Sequence, residues 1–304
     1  MKKWLLATLL VFSFVFSEMV NEVHADKVEL NLQKEEVAYT FFDLSYGEST
    51  LIQGSSNQAI LINTGHQNSR DELRERLEMY NVQKINTLIL TSRQEEYAGN
   101  LSWLLENWDV EKVIVPEVLT AKFSAVLKNT ATDRISTYKK GDHFALPDGV
   151  EVDVLYVENR QGRKKGGSAF FIEHLDQKLL YLAIADVKVE EKLVSEYDLK
   201  ATVIKVPDFG SDRGTSEGLL TEADPQIAVI FQRGEDPPSN FVLERLEETW
   251  IDIYQTSRIG TVTIKCMDHD YEIITVRPSE HLEFPKNWRI LTDANETVNH
   301  FDHP

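Results

Sequence analysis

Disulfides are excluded within this chain, because its 304 residues include one cysteine, Cys266. An exported protein without disulfides depends on the packing of its apolar residues. The composition permits a substantial core, because 42% of the residues are apolar and 10% are aromatic. Cys266 lies on the same face of a predicted strand as Val262 and Ile264. We therefore expect Cys266 to be a buried packing residue and not a nucleophile.

Apolar runs of transmembrane length are also missing, and the one long run lies near the start. Residues 4–16 are apolar except for Thr8 and Ser13, and they follow two lysines. This run is short for a bilayer crossing. Ala25 and Val23, the first and third residues before Asp26, are small or compact and fit a signal-peptidase site. We predict a signal peptide at 1–25 and a secreted or cell-surface chain after cleavage near Ala25. An uncleaved N-terminal membrane anchor is the alternative.

Positive charge is scarce. The chain has 32 Lys and Arg against 50 Asp and Glu, which gives a formal net charge of −18. A negative field of this kind repels phosphate backbones, so nucleic-acid partners are disfavoured. One basic loop stands between two predicted strands, and a solvated hairpin tip is its expected role. It contains Arg160, Arg163, Lys164 and Lys165. The expected partner is an unidentified extracellular or cell-surface molecule.

Several catalytic motifs are absent. No glycine-rich phosphate loop occurs, and neither Ser92 nor Ser211 lies in a G-x-S-x-G turn or in a Ser-His-Asp order. There is also no low-complexity linker and no repeat. We therefore predict a single domain at 26–283, followed by a C-terminal tail at 284–304.

The predicted elements form two sets of strands, each followed by helices. Ser69 is expected to cap a helix that carries Leu73, Leu77 and Tyr80 on one face, and residues 92–99 are expected to form a loop. The predicted strands include buried runs and one hairpin; they are 59–62, 85–90, 113–115, 150–156, 169–173, 178–184, 203–206, 227–231 and 261–266. This order favours an α/β fold in which two packed sheets are flanked by helices.

Five segments, in chain order, match the motifs of one family. Residues 41–49 resemble F-x-D-V-G-Q-G-D-S, and residues 61–65 resemble L-I-D-T-G. Residues 88–100 stand in the place of L-I-L-T-H-x-H-x-D-H-x-G-N/G. Residues 182–186 resemble L-L-x-T-G-D, and residues 199–211 resemble L-K-A-D-x-L-K-V-P-H-H-G-S. The chain thus resembles the metallo-β-lactamase superfamily, in the branch that includes the C-terminal domain of the ComEC competence protein.

This resemblance implies a four-layer αββα sandwich with an active site along the sheet edges. In active members, the histidines of the H-x-H-x-D-H loop, the Asp of G-D and a histidine of H-H-G-S bind one or two zinc ions. Bound zinc lowers the pKa of its water and polarises the scissile bond. The resemblance therefore implies a metal-dependent hydrolase.

The metal-binding positions of this chain depart from that pattern. The motif histidines are replaced by residues that bind zinc poorly or by aromatic residues, and one acidic ligand is kept. The positions concerned are Asn63, Ser92, Gln94, Glu96, Tyr97, Asp208 and Phe209, with Asp186 retained. Because imidazole ligands are lacking, we predict no zinc at this site and no catalytic residue. The expected function is a pseudoenzyme that binds a ligand or partner without turnover.

Two alternatives retain chemistry. Glu96, Asp186 and Asp208, with Gln94 and Glu95, are oxygen ligands that suit calcium or magnesium. Such a site would support a phosphodiesterase-like or nuclease-like hydrolase, although solvated loop carboxylates are the simpler interpretation. A residual hydrolase would instead use His66 as a substitute ligand, and an ordinary turn residue is the simpler interpretation there. Asp43 is expected to orient neighbouring loop amides.

Overall fold

The computed structural model describes residues 27–159 and 167–277. The predicted signal peptide at 1–25, the basic loop at 160–165 and the predicted tail at 284–304 lie outside these residues. Within the described part of the chain, no helix has the length and apolar character needed to cross a membrane.

The strands and helices of the described residues follow one another along the chain. The strands are β1 (Val37–Phe41), β2 (Thr50–Gly54), β3 (Ala59–Ile62), β4 (Lys84–Ile89), β5 (Asp109–Pro116), β6 (Ile135–Tyr138), β7 (His143–Ala145), β8 (Glu151–Val157), β9 (Ser168–His174), β10 (Gln177–Leu182), β11 (Val203–Lys205), β12 (Ile227–Ile230), β13 (Asp252–Gln255), β14 (Thr261–Met267) and β15 (Asp270–Val276). The helices are α1 (Arg70–Met79), α2 (Glu95–Ala98), α3 (Leu101–Asn107), α4 (Thr120–Leu127), α5 (Val187–Glu196), α6 (Glu217–Ala223), α7 (Asn240–Glu248) and α8 (Thr256–Ile259).

The first sheet has eight strands in the order β15-β14-β1-β2-β3-β4-β5-β6. Neighbours from β15 to β3 are antiparallel, and neighbours from β3 to β6 are parallel. Parallel neighbours require crossover connections. Accordingly, α1 connects β3 to β4, α2 and α3 connect β4 to β5, and α4 connects β5 to β6.

The second sheet has seven strands in the order β13-β12-β11-β10-β9-β8-β7. Its strands from β7 to β10 are antiparallel, and those from β10 to β13 are parallel. Helices α5, α6 and α7 provide the three crossovers. The second sheet thus repeats the plan of the first, with an antiparallel part followed by a parallel part.

Three clusters of buried apolar residues define four layers. One cluster joins the two sheets and includes Phe41 of β1 and Tyr181 of β10. A second includes Leu77 of α1 and covers the outer face of the first sheet, and a third includes Leu193 of α5 and covers the outer face of the second. Burial of a leucine of this kind contributes roughly 1.5–3 kcal/mol. The predicted αββα sandwich is confirmed.

Cys266 and the central strands match the sequence predictions. Cys266 lies on β14, is 1% exposed, and burial raises the pKa of its thiol to about 12. The predicted hairpin is formed by β9 and β10.

Two local predictions were only partly correct. Ser69 is the N-cap residue of α1, as predicted, but its side chain makes no capping hydrogen bond. Its hydroxyl instead accepts a hydrogen bond from the Tyr46 amide at 2.8 Å, and the chain approaches α1 through a short 3-10 turn at Gln67–Ser69. The predicted loop at 92–99 contains α2, which begins directly after Gln94.

Candidate functional site

The loops that follow the parallel strands of both sheets meet at one edge of the sandwich. Those of the first sheet follow β3 and β4, and those of the second follow β10, β11 and β12. Carboxyl ends of parallel strands are the usual location of ligand sites in open α/β sheets. The motif residues therefore lie where a ligand site is expected in a fold of this kind.

Backbone hydrogen bonds fasten the segment after β1 to these loops. The Glu48 amide donates to the Glu96 carbonyl at 2.9 Å, and the Gly47 amide donates to the Gln232 carbonyl at 3.1 Å. Gly47 has a φ of +100°, and a Cβ there would lie 2.4 Å from the Glu96 carbonyl oxygen. Only glycine fits this close approach, which presents the Glu48 side chain to the space between the sheets.

Asn63 follows β3 with a φ of 64° and is fully buried. Its side-chain oxygen Oδ1 accepts a hydrogen bond from the Thr91 amide at 2.9 Å. Its side-chain nitrogen donates to Glu48 Oε1 and to Thr91 Oγ1, each at 2.8 Å. Asn63 therefore connects the loops after β3 and β4 as a junction. The oxygen and the nitrogen of its side-chain amide are both occupied by these hydrogen bonds.

A buried ion pair lies beside this junction. Glu48 Oε2 and Lys205 Nζ are 2.5 Å apart, and both side chains are 0% exposed. The Tyr181 hydroxyl donates to Glu48 Oε1 at 3.0 Å, and Lys205 Nζ donates to the Leu182 carbonyl at 2.7 Å. Burial raises the pKa of Glu48 and lowers the pKa of Lys205, and the attraction between the two charges opposes both changes.

Aromatic rings surround the Lys205 ammonium. It lies 4.7 Å from the ring centre of Tyr181, 5.8 Å from that of Tyr97 and 5.9 Å from that of Phe231. Ring faces attract a cation at these distances, and more strongly where water is excluded. The rings therefore support a charged lysine inside the protein.

Tyr97 and Phe209 occupy positions where the resemblance places histidine ligands. Their ring centres lie 5.8 Å apart, and both residues are buried. Phe209 supplies only carbon atoms. Burial raises the pKa of the Tyr97 hydroxyl well above its ordinary value, and the nearby charge of Glu48 raises it further. A phenol in this state resists the loss of its proton, so Tyr97 is a poor metal ligand.

Two of the three carboxylates of the predicted calcium or magnesium site are engaged elsewhere. Asp208 forms ion pairs with Arg213 and, at 3.6 Å, with Arg233. Asp186 caps α5, because its Oδ1 accepts a hydrogen bond from the Lys188 amide at 2.9 Å. Glu96 is partly buried within α2.

These three carboxylates do not form a ligand cluster. Among residues 27–159 and 167–277, one group of three acidic or histidine residues has ligand atoms within 4.8 Å of one another; it consists of Asp176, Asp268 and His269, which are exposed. The predicted hard-cation site receives no support from this geometry.

The remaining predicted residues make local hydrogen bonds within the loops of this edge. Ser92 is buried, and its hydroxyl accepts a hydrogen bond from the Gln94 amide at 3.2 Å. His66 Nδ1 accepts from the Asn68 amide at 3.1 Å, and His66 Nε2 lies 3.3 Å from Glu95 Oε2. His66 thus caps the turn before α1, as expected of an ordinary turn residue.

Asp43 has a different role from the one predicted. Its carboxylate accepts hydrogen bonds from the Arg76 guanidinium, at 2.6 Å to Arg76 Nε, and from the Thr261 hydroxyl. It therefore ties α1 to β14, and we find it bonded to side chains where loop amides were expected.

Sequence reasoning missed Glu48 and Lys205. Both stand inside quoted motif segments, at the Asp of G-Q-G-D-S and at the Lys of L-K-V-P. Both members of the pair therefore stand at charged positions of the motifs that this chain resembles. The signal was available in the sequence. An acid stands at the Asp of the first motif and a lysine is kept in the last motif, although the histidines of the last motif are replaced.

The fold of the described residues has relatives among solved structures. It is similar to the metallo-β-lactamase fold protein YhfI from Bacillus subtilis, with a TM-score of 0.55 and 9% identity over 76% of this chain and 100% of that chain. The chain has the metallo-β-lactamase fold. The fold is also similar to that of CmlA, a diiron β-hydroxylase from Streptomyces venezuelae, with a TM-score of 0.55 and 10% identity over 77% of this chain and 55% of that one.

Sequence comparison supports the ComEC-like branch. The chain is 24% identical over 191 residues to ComE operon protein 3 of Bacillus subtilis (strain 168), which covers 60% of this chain. The match spans 24% of the length of that relative. No protein-family model matches the chain.

Proposed function

We propose that this chain is an exported, non-catalytic protein of the metallo-β-lactamase fold that acts by binding a partner at its former metal site. The observation that carries the proposal is the buried pair of rings, Tyr97 and Phe209, where two imidazole ligands belong. Zinc centres require nitrogen, thiolate or carboxylate donors that converge on one point. The residues at this edge do not fit zinc, so we assign no hydrolytic step to them.

The charge distribution supports the same proposal. Arg213 and Arg233 neutralise Asp208, which leaves it a weaker attractor of a divalent ion than a free carboxylate. The Glu48–Lys205 pair is internally neutral.

Metal content and turnover test the loss of catalysis. Protein purified without chelator or metal-affinity resin should contain substoichiometric zinc, and it should not hydrolyse bis(4-nitrophenyl) phosphate with added zinc, manganese, magnesium or calcium. A stoichiometric transition metal that chelator removes, together with turnover, would overturn the proposal.

A restored ligand set provides the matched comparison. It combines Ser92→His, Gln94→His, Glu96→Asp, Tyr97→His, Asp208→His and Phe209→His. This variant should acquire zinc where the parent does not, because imidazole donors return to the same loops. If the variant does not fold, the metal content of the parent still decides the question.

Position-specific crosslinking tests partner binding. A photoreactive residue at Asp212, which is exposed on the loop after Asp208, should crosslink a discrete partner on intact cells. The same residue at Ser55, in the exposed turn between β2 and β3, serves as the control. Equal crosslinking from both positions, or from neither, would contradict a binding role for this edge.

Export is supported by the apolar run and by the cleavage-site pattern before Asp26. The N-terminal sequence of the protein recovered from the culture medium or cell surface should begin at Asp26. Full-length protein retained in the membrane fraction would instead identify an anchored form, and full-length protein in the cytoplasm would contradict export.

A further inference from the structure

A polar groove lies at the end of the second sheet opposite to the former metal site. It is lined by residues that precede or begin β10 to β13, including Lys178, Thr202, Gln226 and Asp252. These strands are parallel to one another, so their amino ends share one edge and their carboxyl ends share the other. The groove has a volume of about 630 Å³, which is within the range of small-molecule sites.

Trp250 lies on the wall of this groove and is 95% exposed. A single exposed aromatic residue is ordinary on a protein surface. Here, however, the indole stands beside a polar cavity, so a large flat apolar face adjoins several hydrogen-bonding groups. An aromatic residue buries a large apolar area when a ligand covers it.

The charges of the groove are largely balanced by the protein. Lys178 Nζ lies 2.9 Å from Glu173 Oε1, and Lys200 Nζ lies 3.5 Å from Asp224 Oδ2. Asp176 is paired with His269. A phosphate-bearing ligand would have to compete with the acidic partners of Lys178 and Lys200. A neutral ligand would not.

Hydrogen-bonding groups of three kinds remain for a ligand. Within the described residues, no hydrogen bond or ion pair holds the Asp252 carboxylate, the Thr202 hydroxyl or the Gln226 amide nitrogen. A carboxylate accepts, an amide nitrogen donates, and a hydroxyl does both. Sugar hydroxyls need this mixture, and the C–H face of a pyranose ring matches the face of an indole.

We propose that this groove binds a neutral oligosaccharide, with one pyranose ring on Trp250 and its hydroxyl groups on Asp252 and Gln226. The site is separate from the former metal site, because it lies at the other end of the parallel strands. Binding here therefore does not depend on the function proposed for the carboxyl ends.

Calorimetric titration with uncharged tetrasaccharides tests the proposal. The probes are cellotetraose, maltotetraose and tetra-N-acetylchitotetraose, with tetragalacturonate as the charged comparison. At least one neutral probe should bind, and tetragalacturonate should not. Trp250→Ala should weaken the binding by about tenfold, which corresponds to the loss of roughly 1.4 kcal/mol. Trp250→Tyr should retain most of it, and Asp252→Asn should weaken it.

Phe241→Ala is the matched control, because Phe241 is also an exposed aromatic residue and does not line the groove. It should leave binding unchanged. The proposal is overturned if no neutral probe binds the parent, or if Phe241→Ala and Trp250→Ala have equal effects. It is also overturned if sedimentation shows that Trp250→Ala dissociates a dimer while sugar binding is unaffected, because the groove would then be a self-association surface.

Discussion

At the scale of single residues, the Glu48–Lys205 pair should dominate stability at the sheet edge. Both groups are fully buried, so Lys205→Met would leave the Glu48 carboxylate without its counter-charge. We expect the free energy of unfolding to fall by about 3–5 kcal/mol, the usual cost of breaking a buried pair. Urea denaturation measures this loss.

The double variant Glu48→Gln with Lys205→Met is the control for that experiment. It removes both charges, so it should be more stable than Lys205→Met alone. A Lys205→Met variant as stable as the parent would show that the pair has no structural role.

Asn63 supports a second prediction at this scale. Its side-chain nitrogen donates to Glu48, and an aspartate in its place cannot donate once ionised and would add a second buried carboxylate. Asn63→Asp, although it restores the family's residue, should lower the free energy of unfolding by about 1–3 kcal/mol. Asn68→Asp, at an exposed position in the next turn, should change it little. Equal stability of both variants would refute the role of Asn63 as a junction.

At the scale of elements, a buried carboxylate holds α5 to the start of α6. Glu190 accepts hydrogen bonds from the Thr215 amide at 2.6 Å and from the Ser216 amide at 2.8 Å. Glu190→Gln leaves one of these amides facing a donor, so we expect a loss of about 1–3 kcal/mol in the free energy of unfolding. Thermal unfolding of Glu190→Gln and of Glu191→Gln, its exposed neighbour, tests this. Similar melting temperatures would contradict it.

The sequence predicts the central elements better than the marginal ones. Strands β3 and β12 are buried along their whole length, so each appears as an uninterrupted apolar run. The edge strands β13 and β15 consist mostly of exposed and partly buried residues and contain charged ones. They were not predicted, and neither were β6, β7, α4 and α6, which are short or carry many polar residues.

For the site, the sequence predicted which residues come together but not how their side chains pair. Motif order was enough to place Asn63, Tyr97 and Phe209 at one edge, because strand ends determine where loops meet. The pairing of Asp208 with Arg233 was not predictable in this way, since it joins loops of different strands and depends on side-chain direction.

At the scale of the whole molecule, buried protons should make the protein sensitive to alkali. Burial raises the pKa of Cys266 from 9.0 to about 12 and that of Tyr80 from 10.0 to about 12. Groups with a raised pKa contribute stability that is complete below the unfolded pKa and is lost as pH rises towards the folded one. Stability should therefore decline between pH 9 and 12, by about 1.4 kcal/mol per pH unit for each such group.

Cys266→Ala isolates one of these groups. The variant should lose the thiol's share of the decline, so its stability should fall less steeply just above pH 9 than that of the parent. An identical slope in denaturant titrations across this range would contradict the role assigned to the thiol. Its absolute stability is not the readout, because removal of a buried side chain has a cost of its own.

Divalent ions provide a further test on the intact chain. Neither chelator nor calcium should change the melting temperature, because Glu96, Asp186 and Asp208 are not gathered around one point. A rise with calcium that Glu96→Ala and Asp186→Ala abolish would restore the calcium hypothesis by mass action. A rise that Asp268→Asn abolishes would place the ion at the exposed group of Asp176, Asp268 and His269.

The Glu48–Lys205 pair has one further consequence, because its two members belong to different sheets. Glu48 follows β1 of the first sheet, and Lys205 ends β11 of the second. The two sheets are thus joined at this end by an ion pair between side chains, and this link does not require a metal ion. Because this link consists of two side chains, a substitution at a motif position for a metal ligand leaves the connection between the sheets in place.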